Sequence, residues 1–420
     1  MIRAFARLLA LLSAVMVSLP AMAASCPVKI GSVMPLTGPL APVVAGMLKS
    51  AQLAVNQLNA AGGVLGCKLD LVVRDSQAQP SLAVDAAHQL IDLEGVRVIV
   101  GEVTSGGTAA VLNSVTVPAH VPLISPTASA PSFSDIGRST GLFFRTNASD
   151  ALQGVAAASQ AIAGKSGTVA VLAVNNDWGQ NLSRVFKEAY EKLGGHITRI
   201  VLYNPGQSSY RAEISAAMQG APHTLYLIGY ATEGAQLARD WISQGGTQNF
   251  LFAHNMNDAA FVKAVGAKYL QHAVWLTPGS VQTPSLDNFR AAYTAMTKQP
   301  AEGPGRASTY DAVVLAALAI EAAKSATDGP AIAAGFRRVT DAAGVRIDAG
   351  EAGFKTALAA LAKGQSVNYI GATGPLQFDA SGDIAVPFVA WTLDAQGALH
   401  VSGHMSVEDV QTLRTRLFAK

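Results

Sequence analysis

Arg97-Val-Ile-Val-Gly-Glu-Val-Thr-Ser-Gly-Gly-Thr108 is the stretch on which the fold turns. Val96, Val98, Ile99 and Val100 show no polarity on either face, the mark of a parallel strand covered on both sides. The run stops at Gly101. Small hydroxyl residues and glycines follow (Thr104, Ser105, Gly106, Gly107, Thr108), and an Ala/Leu/Val helix is expected from about Ala109. Hydroxyls and unpaired backbone N–H groups gathered at a helix start hold an anion well. Val121-Pro-Leu-Ile-Ser-Pro-Thr-Ala-Ser-Ala-Pro131 repeats the strand-to-loop design a short way downstream. Open α/β sheets bind ligands at the carboxyl ends of their strands, so two such loops on neighbouring strands would face one ligand.

The flanking sequence continues the alternation. Val28–Met34 reads as a strand, Val44–Ala60 as a helix stopped by Ala61-Gly-Gly63, Lys68–Val73 as a strand and Leu82–Leu93 as a helix. With Ala109–Val117 as a helix and Leu123–Ser125 as a strand, these units predict one parallel sheet. Leu142–Arg145 then leads past Asn147 and Asp150 into a second series. Its strands are Thr168–Val174, Ile197–Leu202, Leu225–Ile228, Phe250–Phe252 and Val274–Leu276, with helices such as Asn181–Leu193 and Gly234–Gln244 between them. The fold class is therefore α/β, with two doubly wound parallel-sheet lobes. Helices dominate from Leu286 (Phe289–Thr297, Ala307–Lys324, Ala331–Arg338, Phe354–Ala362) and exceed what the second lobe needs, so they return to the first. A strand-rich end follows: Tyr369–Phe378, a turn at Asp379-Ala-Ser-Gly-Asp383, and Pro387–Leu393.

Composition sets the compartment. The 420 residues, half of them hydrophobic, are enough for two or three domains with sizeable cores. Arg3 and Arg7, the apolar run Leu8–Leu19, and Pro20 before Ala21-Met-Ala23 form the three parts of a secretory signal, with cleavage placed after Ala23 and a periplasmic destination. No later stretch is long enough to span a membrane without a charge; Ala312–Ile320 is cut by Glu321. Lys and Arg number 30 against 28 Asp and Glu, and loss of Arg3 and Arg7 makes them equal, so nothing points to nucleic acid or a charged membrane surface. Cys26 and Cys67, the only cysteines, each precede a predicted strand. If those strands are neighbours, export permits a disulfide between them. The rival is a lipid on Cys26, but Ala23-Ala-Ser-Cys26 lacks the large aliphatic residue usual three positions earlier, which favours the disulfide.

Six short motifs carry a family likeness: Lys29-Ile-Gly31 with Pro35-Leu-Thr-Gly38, Leu58-Asn-Ala-Ala-Gly-Gly63, the Ser105 loop, Ser125–Pro131, Asp177-Trp-Gly179, and Gly374-Pro-Leu-Gln-Phe-Asp-Ala-Ser-Gly-Asp383. In that order and spacing the chain resembles the leucine/isoleucine/valine-binding family of periplasmic receptors that feed ABC importers. The resemblance implies a hinge of three crossings and lobes built from discontinuous segments: 27–148 plus 279–370 for the N-terminal lobe, and 149–278 plus 371–420 for the C-terminal one. It also implies a small-molecule ligand, an amino acid or carboxylate, and a membrane permease as partner. In the family the ligand's carboxylate meets the first lobe at the positions of Ser105, Thr127 and Ser129. Aromatic residues at the positions of Trp178 and Tyr230 close over it, Asp150 lies near the hinge, and Val43 stands at a side-chain-pocket position.

One departure bears on the ligand. The family's amino-acid binders place a carboxylate on the loop after Phe250–Phe252 to pair with the ligand's ammonium, and an ungapped alignment puts His254 there. A desolvated ammonium needs an anionic or strongly accepting partner. Either Asp150, Glu233 or Asp258 supplies it, or the ligand is an aromatic or aliphatic acid without an amino group; the second alternative is preferred.

Other matches carry little. Gly164-Lys-Ser166 lacks the earlier glycine of a phosphate loop and precedes a strand. Asp379–Asp383 resembles half a calcium loop, lacks the later Glu, and reads better as a hairpin turn. His400 and His404 have helical metal spacing, but Ser402-Gly403 between them disfavours a helix. The sequence holds no Gly-x-Ser-x-Gly, no His-Glu-x-x-His and no Gly-x-Gly-x-x-Gly, so no catalytic residue, metal or cofactor is assigned. The expectation is a non-enzymatic solute receptor for an importer, with a sensor of the same fold signalling to a membrane receptor as the alternative.

Overall fold

The computed structural model describes residues 26–418. The predicted signal segment, 1–23, lies outside them. The first series runs β1 (Val28–Met34), α1 (Ala41–Ala60), β2 (Leu69–Asp75), α2 (Pro80–His88), β3 (Ile99–Gly101), α3 (Ser105–Val111), β4 (Leu123–Ser125), α4 (Phe133–Thr140) and β5 (Phe143–Arg145). Its strands form a parallel sheet in the order β2-β1-β3-β4-β5. The second series runs α5 (Asp150–Ala163), β6 (Thr168–Val174), α6 (Asp177–Lys192), β7 (His196–Tyr203), α7 (Arg211–Ala217), β8 (Thr224–Ile228), α8 (Ala231–Ser243), β9 (Phe250–Phe252), α9 (Ala259–Val265) and β10 (Val274–Pro278). The chain continues through α10 (Pro284–Thr297), α11 (Arg306–Ala323), α12 (Gly329–Val339), β11 (Val345–Asp348), α13 (Glu351–Ala362), β12 (Val367–Gly371) and β13 (Gly374–Pro375). It ends with β14 (Phe388–Leu393), β15 (Leu399–Met405) and α14 (Val407–Phe418). Strands β6 to β10 are joined by β14 and β15 in a second sheet, order β15-β14-β10-β9-β8-β6-β7, the last two strands entering antiparallel.

Apolar strands explain both sheets. β8 is buried along its whole length and β6 along all but its first residue, as strands covered on both faces require. Gly101 ends β3 so close to β1 that a Cβ would lie 2.1 Å from the Val33 carbonyl oxygen, and its φ of +121° suits glycine alone. The late helices do pack on the first lobe. α11 is buried nearly all round, as a helix in a core must be. It grips α1 and the turn beyond it: Tyr310 donates to Gln57, and the Glu321 carboxylate accepts from the Leu65 amide at 2.6 Å. No helix among the described residues is long and apolar enough to cross a membrane.

Three local readings change. The helix after β3 starts at Ser105, not near Ala109, because Thr104 caps it by accepting from the Gly107 amide at 3.1 Å. Tyr369–Phe378 is not one strand. Asp311 on α11 turns the chain between β12 and β13 by accepting from Tyr369 Oη and the Ala372 amide on one oxygen, and from the Thr373 amide and hydroxyl on the other. Asp379–Asp383 closes a turn through a 2.9 Å bond from the Asp379 amide to the Asp383 carbonyl, yet no hairpin forms around it. The turn docks on β5 instead, where the Arg145 amide donates to the Gly382 carbonyl at 3.1 Å. His400 and His404 lie on β15, in keeping with the expectation that no helix joins them.

Cys26 and Cys67 form a disulfide with Cα atoms 5.3 Å apart, just before the paired strands β1 and β2, so the Cys26 thiol is committed to a disulfide and not to a lipid. The bond closes a loop of 41 residues, a length for which chain entropy assigns a stabilisation of about 4 kcal/mol. Replacing both cysteines by serine is expected to lower unfolding stability in urea by about 2–4 kcal/mol and to leave ligand affinity unchanged, since the bond lies at the opposite ends of the strands from the Ser105 loop.

Candidate ligand site

β3 and β4 pair in parallel, Ile99 with Leu123 and Val100 with Ile124, so the segments that follow emerge side by side. Hydroxyls stitch them together. Ser125 Oγ donates to the Glu102 carbonyl at 2.7 Å and Thr127 Oγ1 to the Val103 carbonyl at 2.7 Å. Ser105 opens α3 and is buried, and first-turn amides have no intrahelical acceptor. Ser129, also buried, donates to Asp150 Oδ2 at 3.0 Å, and the Asp150 amide donates back to the Ser129 carbonyl at 2.8 Å. This exchange ties the loop of the first lobe to the opening residue of α5, the first helix of the second. The hydroxyl hydrogens of Thr127 and Ser129 are therefore engaged by protein acceptors, and the Gly107, Thr127 and Ala128 amides donate to Thr104 Oγ1 and Ser125 Oγ, which leaves the Ser105 hydroxyl and the first two amides of α3 as the donors for an anion.

The second lobe supplies rings. Trp178 lies 5.4 Å from Tyr230 and 5.3 Å from His254, centroid to centroid. Asn176 fixes two of these parts: its side-chain oxygen caps α6 by accepting from the Gly179 amide at 2.9 Å, and its amide donates to Tyr230 Oη at 3.1 Å. The lobes meet here, for a Cβ on Gly106 would stand 3.3 Å from Asp177 Oδ2 at the start of α6. Val43 is apart from this group. It sits in the first turn of α1, 39% exposed, and among the described residues no hydrogen bond or ring contact ties it to the others.

Burial governs the ionisable groups. Desolvation raises the Asp150 pKa to about 8; the Ser129 hydroxyl, the Arg145 charge and the approach of the Trp178 N–H oppose it without prevailing. That N–H stops short of hydrogen-bond geometry, so Asp150 Oδ1 and Trp178 Nε1 are both buried without a partner among the described residues. His254 keeps some exposed surface, but its ring is enclosed by protein, and desolvation lowers its pKa to about 4. The imidazole is neutral at pH 7. Its Nδ1 lies 2.9 Å from Gln153 Nε2, which as donor makes Nδ1 the acceptor and places the ring proton on Nε2, with the Gln153 amide assigned in this orientation. Gln153 Oε1 is then a further buried acceptor without a partner among the described residues.

The sequence reading missed three residues of this neighbourhood. Gln153 stands one turn after Asp150 on the same face of α5, a spacing that could have found it. Glu102 is wholly buried, its pKa raised by desolvation, and accepts from Ser76 Oγ at 2.7 Å and the Thr104 amide at 2.6 Å. Arg145, also wholly buried, was signalled by a lone charge closing an apolar strand. Of the carboxylates proposed to replace a missing counter-charge, Asp258 is exposed and caps α9 through the Ala260 amide, and Glu233 lies in the first turn of α8. Asp150 is the one buried against the rings. No group of His, Cys, Asp and Glu able to hold a metal occurs among the described residues.

Two parallel-sheet lobes with hydroxyl-bearing strand tips on one and rings on the other define a receptor that encloses a small solute between its halves. The chain belongs to the periplasmic binding protein family, whose model matches residues 27–378, and within it to the family of the Leu/Ile/Val-binding proteins. It is 30% identical over 314 residues to the Leu/Ile/Val-binding protein BraC3 of Rhizobium johnstonii, covering 74% of this chain and 83% of the relative. It is 28% identical over 362 residues to BasB of Halobacterium salinarum, a substrate-binding protein of a chemotactic signal transduction system, covering 84% of each. A leucine-binding protein, LivK, of Thermotoga maritima shares the fold at a TM-score of 0.76 and 24% identity, covering 91% of this chain and 99% of the other. An ABC-transporter solute-binding protein of R. palustris solved with benzoate does so at 0.70 and 18%, covering 90% and 96%.

Asp150 yields a pH test. In the ligand-free protein its folded pKa lies near 8 against the ordinary carboxyl value of 3.8, so the native state keeps a proton the unfolded chain has lost, and stability falls as pH rises through this window. Asp311, raised to about 6, and His254, lowered to about 4, are common to parent and variant, so their contributions cancel in the difference between the two. Between pH 6.5 and 8 the variant Asp150→Asn should therefore gain about 2 kcal/mol on the parent in urea unfolding. An unchanged difference across that interval would show that Asp150 is ionised in the free protein.

Proposed function

We propose that this protein is the extracytoplasmic receptor of a branched-chain-amino-acid-type ABC importer. It captures a small amino acid or carboxylate by hinged closure and presents the closed form to the permease. The leader 1–23 would carry it to the periplasm, with cleavage near Ala23. The observation that carries the reading is the facing pair of surfaces: Ser105 and the Thr127–Ser129 loop at paired strand tips, opposite Trp178, Tyr230 and His254. A ligand touching both halves binds the closed form better than the open one and shifts the population by that difference. On this reading the segments 27–148 plus 279–370 and 149–278 plus 371–420 make up the two lobes, with the turn 379–383 held on β5 of the first. BasB shows that a relative serves signalling, so a sensor remains the alternative use of the same closure.

A second reading concerns the ligand and rests on His254. A neutral imidazole donating from Nε2 suits an acceptor on the ligand and not an ammonium, and a protonated Asp150 meets a carboxylate without repulsion. An aromatic or aliphatic acid lacking an amino group fits that wall. An amino acid fits it only if Asp150 gives up its proton to pair with the ammonium.

Calorimetry with leucine and with 4-methylpentanoate separates the two ligands. Binding of leucine through Asp150 releases a proton, so the measured heat changes with the ionisation enthalpy of the buffer; 4-methylpentanoate binds without that dependence. Tight leucine binding removes the acid-only reading, and binding of the acid alone removes the amino-acid reading. Ser105→Ala should weaken the bound probe by about 1–3 kcal/mol, as loss of a hydrogen bond to a charged group does. If neither probe binds, nor phenylalanine nor 3-phenylpropanoate, and no small acid co-purifies by mass spectrometry, the receptor reading fails.

A further inference from the structure

We propose that Arg145 and Asp383 are positioning residues for ligand capture: their ion pair, wholly buried on the Arg145 side, holds the Ser125–Pro131 loop in its receptive shape and fastens it to the turn 379–383 that precedes β14. The inference rests on the receptor reading above and adds residues that are not themselves candidate ligand contacts. Arg145 closes β5 with its side chain wholly buried. Its guanidinium divides between two bodies. Nε donates to Asp383 Oδ1 at 2.7 Å, while one terminal nitrogen donates to the Ala130 carbonyl at 3.0 Å and lies 3.5 Å from that of Ala128. The other donates to Ser134 Oγ at 3.0 Å, and Ser134 in turn donates to Asp383 Oδ2 at 2.6 Å.

The two carbonyls belong to residues that flank Ser129. With both drawn toward the guanidinium, away from the cleft, the loop cannot turn its carbonyl oxygens on an incoming carboxylate, where they would repel it. Asp383 is equally constrained. It ends the turn 379–383, in which Gly382 (φ +74°) sits so close to β5 that a Cβ would lie 2.0 Å from the Phe143 carbonyl oxygen. Four residues further on, the Pro387 carbonyl accepts from the Gly279 amide at 2.7 Å, joining this segment to the chain that leaves β10. One planar fork thus spans the loop, the start of α4 and the 379–383 turn, a task lysine's single ammonium cannot perform.

Asp383→Asn keeps the shape and removes the charge. Arg337→Ala is the control: Arg337 holds the same turn through the carbonyls of Asp379 and Ala380 but does not touch the loop. Hydrogen exchange at residues 127–130 is followed in both ligand-free variants, with folding checked by circular dichroism. We expect faster exchange there in Asp383→Asn, and in Arg145→Lys as a second lesion, and exchange at the parental rate in Arg337→Ala. For whichever of leucine or 4-methylpentanoate binds the parent, affinity should fall about tenfold in Asp383→Asn, the effect of weakening one charge-assisted hydrogen bond, and hold in Arg337→Ala. Parental exchange in Asp383→Asn, or equal changes in Asp383→Asn and Arg337→Ala, overturns the proposal. Binding of neither probe counts against the receptor reading, while the exchange result still decides this one.

Discussion

The parallel pairing of β3 with β4 is the constraint on which the remaining architecture depends. Both strands are short and buried on each face, so they have one register available, and a slip by one residue would turn their side chains over. Fixing that register brings Glu102 to Thr104 alongside Ser125 to Thr127, close enough for two hydroxyls to bond across. The wall so formed is a single body. It does not need the ligand to hold it together, and pre-formed donors cost a binding event less than donors ordered during it.

The opposite wall is assembled under another rule, the expense of burying charge. Closing protein around Asp150 and His254 drives both toward their neutral forms, the acid by gaining a proton and the base by losing one. At pH 7 the two lobes thus enclose dipoles, not opposed ions. An anion entering between them meets no like charge from Asp150. A cation would have to draw the proton off that carboxyl first, and with the pKa near 8 this costs about one pKa unit, or 1.4 kcal/mol, at neutral pH. The same buried group therefore suits either ligand at modest expense, and the choice passes to its neighbours. Gln153 matters for this reason, since its amide decides which nitrogen of His254 bears the hydrogen.

Much of this was legible in the residues. Strands buried on both faces announce themselves as unbroken apolar runs, so β3, β6 and β8 and the hydroxyl-rich loop at Ser105 were placed from pattern, while Thr127, Ser129, Trp178 and Tyr230 were singled out through the family resemblance. The pairing of Cys26 with Cys67 followed from the expected adjacency of β1 and β2. What stayed hidden depends on contacts between segments far apart in sequence. Tyr369–Phe378 has the pattern of one strand, and only the carboxylate of Asp311, 58 residues before Tyr369, bends it. β15, with Gly403 and exposed residues along it, offers no apolar alternation and was missed; its place is set by pairing with β14. Burial shifted His254 from a histidine of ordinary basicity to a neutral one, which composition cannot show.

On the proposed hinge, Asp311 also explains how two lobes could move without coming apart at their joints. A helix as buried as α11 tolerates a carboxylate only if both oxygens are fully engaged, and the four donors that satisfy them come from the chain approaching the third crossing. The Thr373 carbonyl accepts from the Val281 amide at 3.2 Å, attaching the second crossing to the same point. One turn earlier on α11, the Ser308 carbonyl accepts from Thr146 Oγ1 at 2.8 Å, attaching the first. All three connections are thus anchored within one turn of a helix that belongs to the first lobe. Rotation of β6 to β10 and β14 against that anchor would be taken up in the short segments beyond it, while the hydrogen bonds at Asp311 and Ser308 keep their partners. An axis built from buried, saturated polar groups resists shear, because each donor displaced weakens the hydrogen bonding that offsets a charge held in the core.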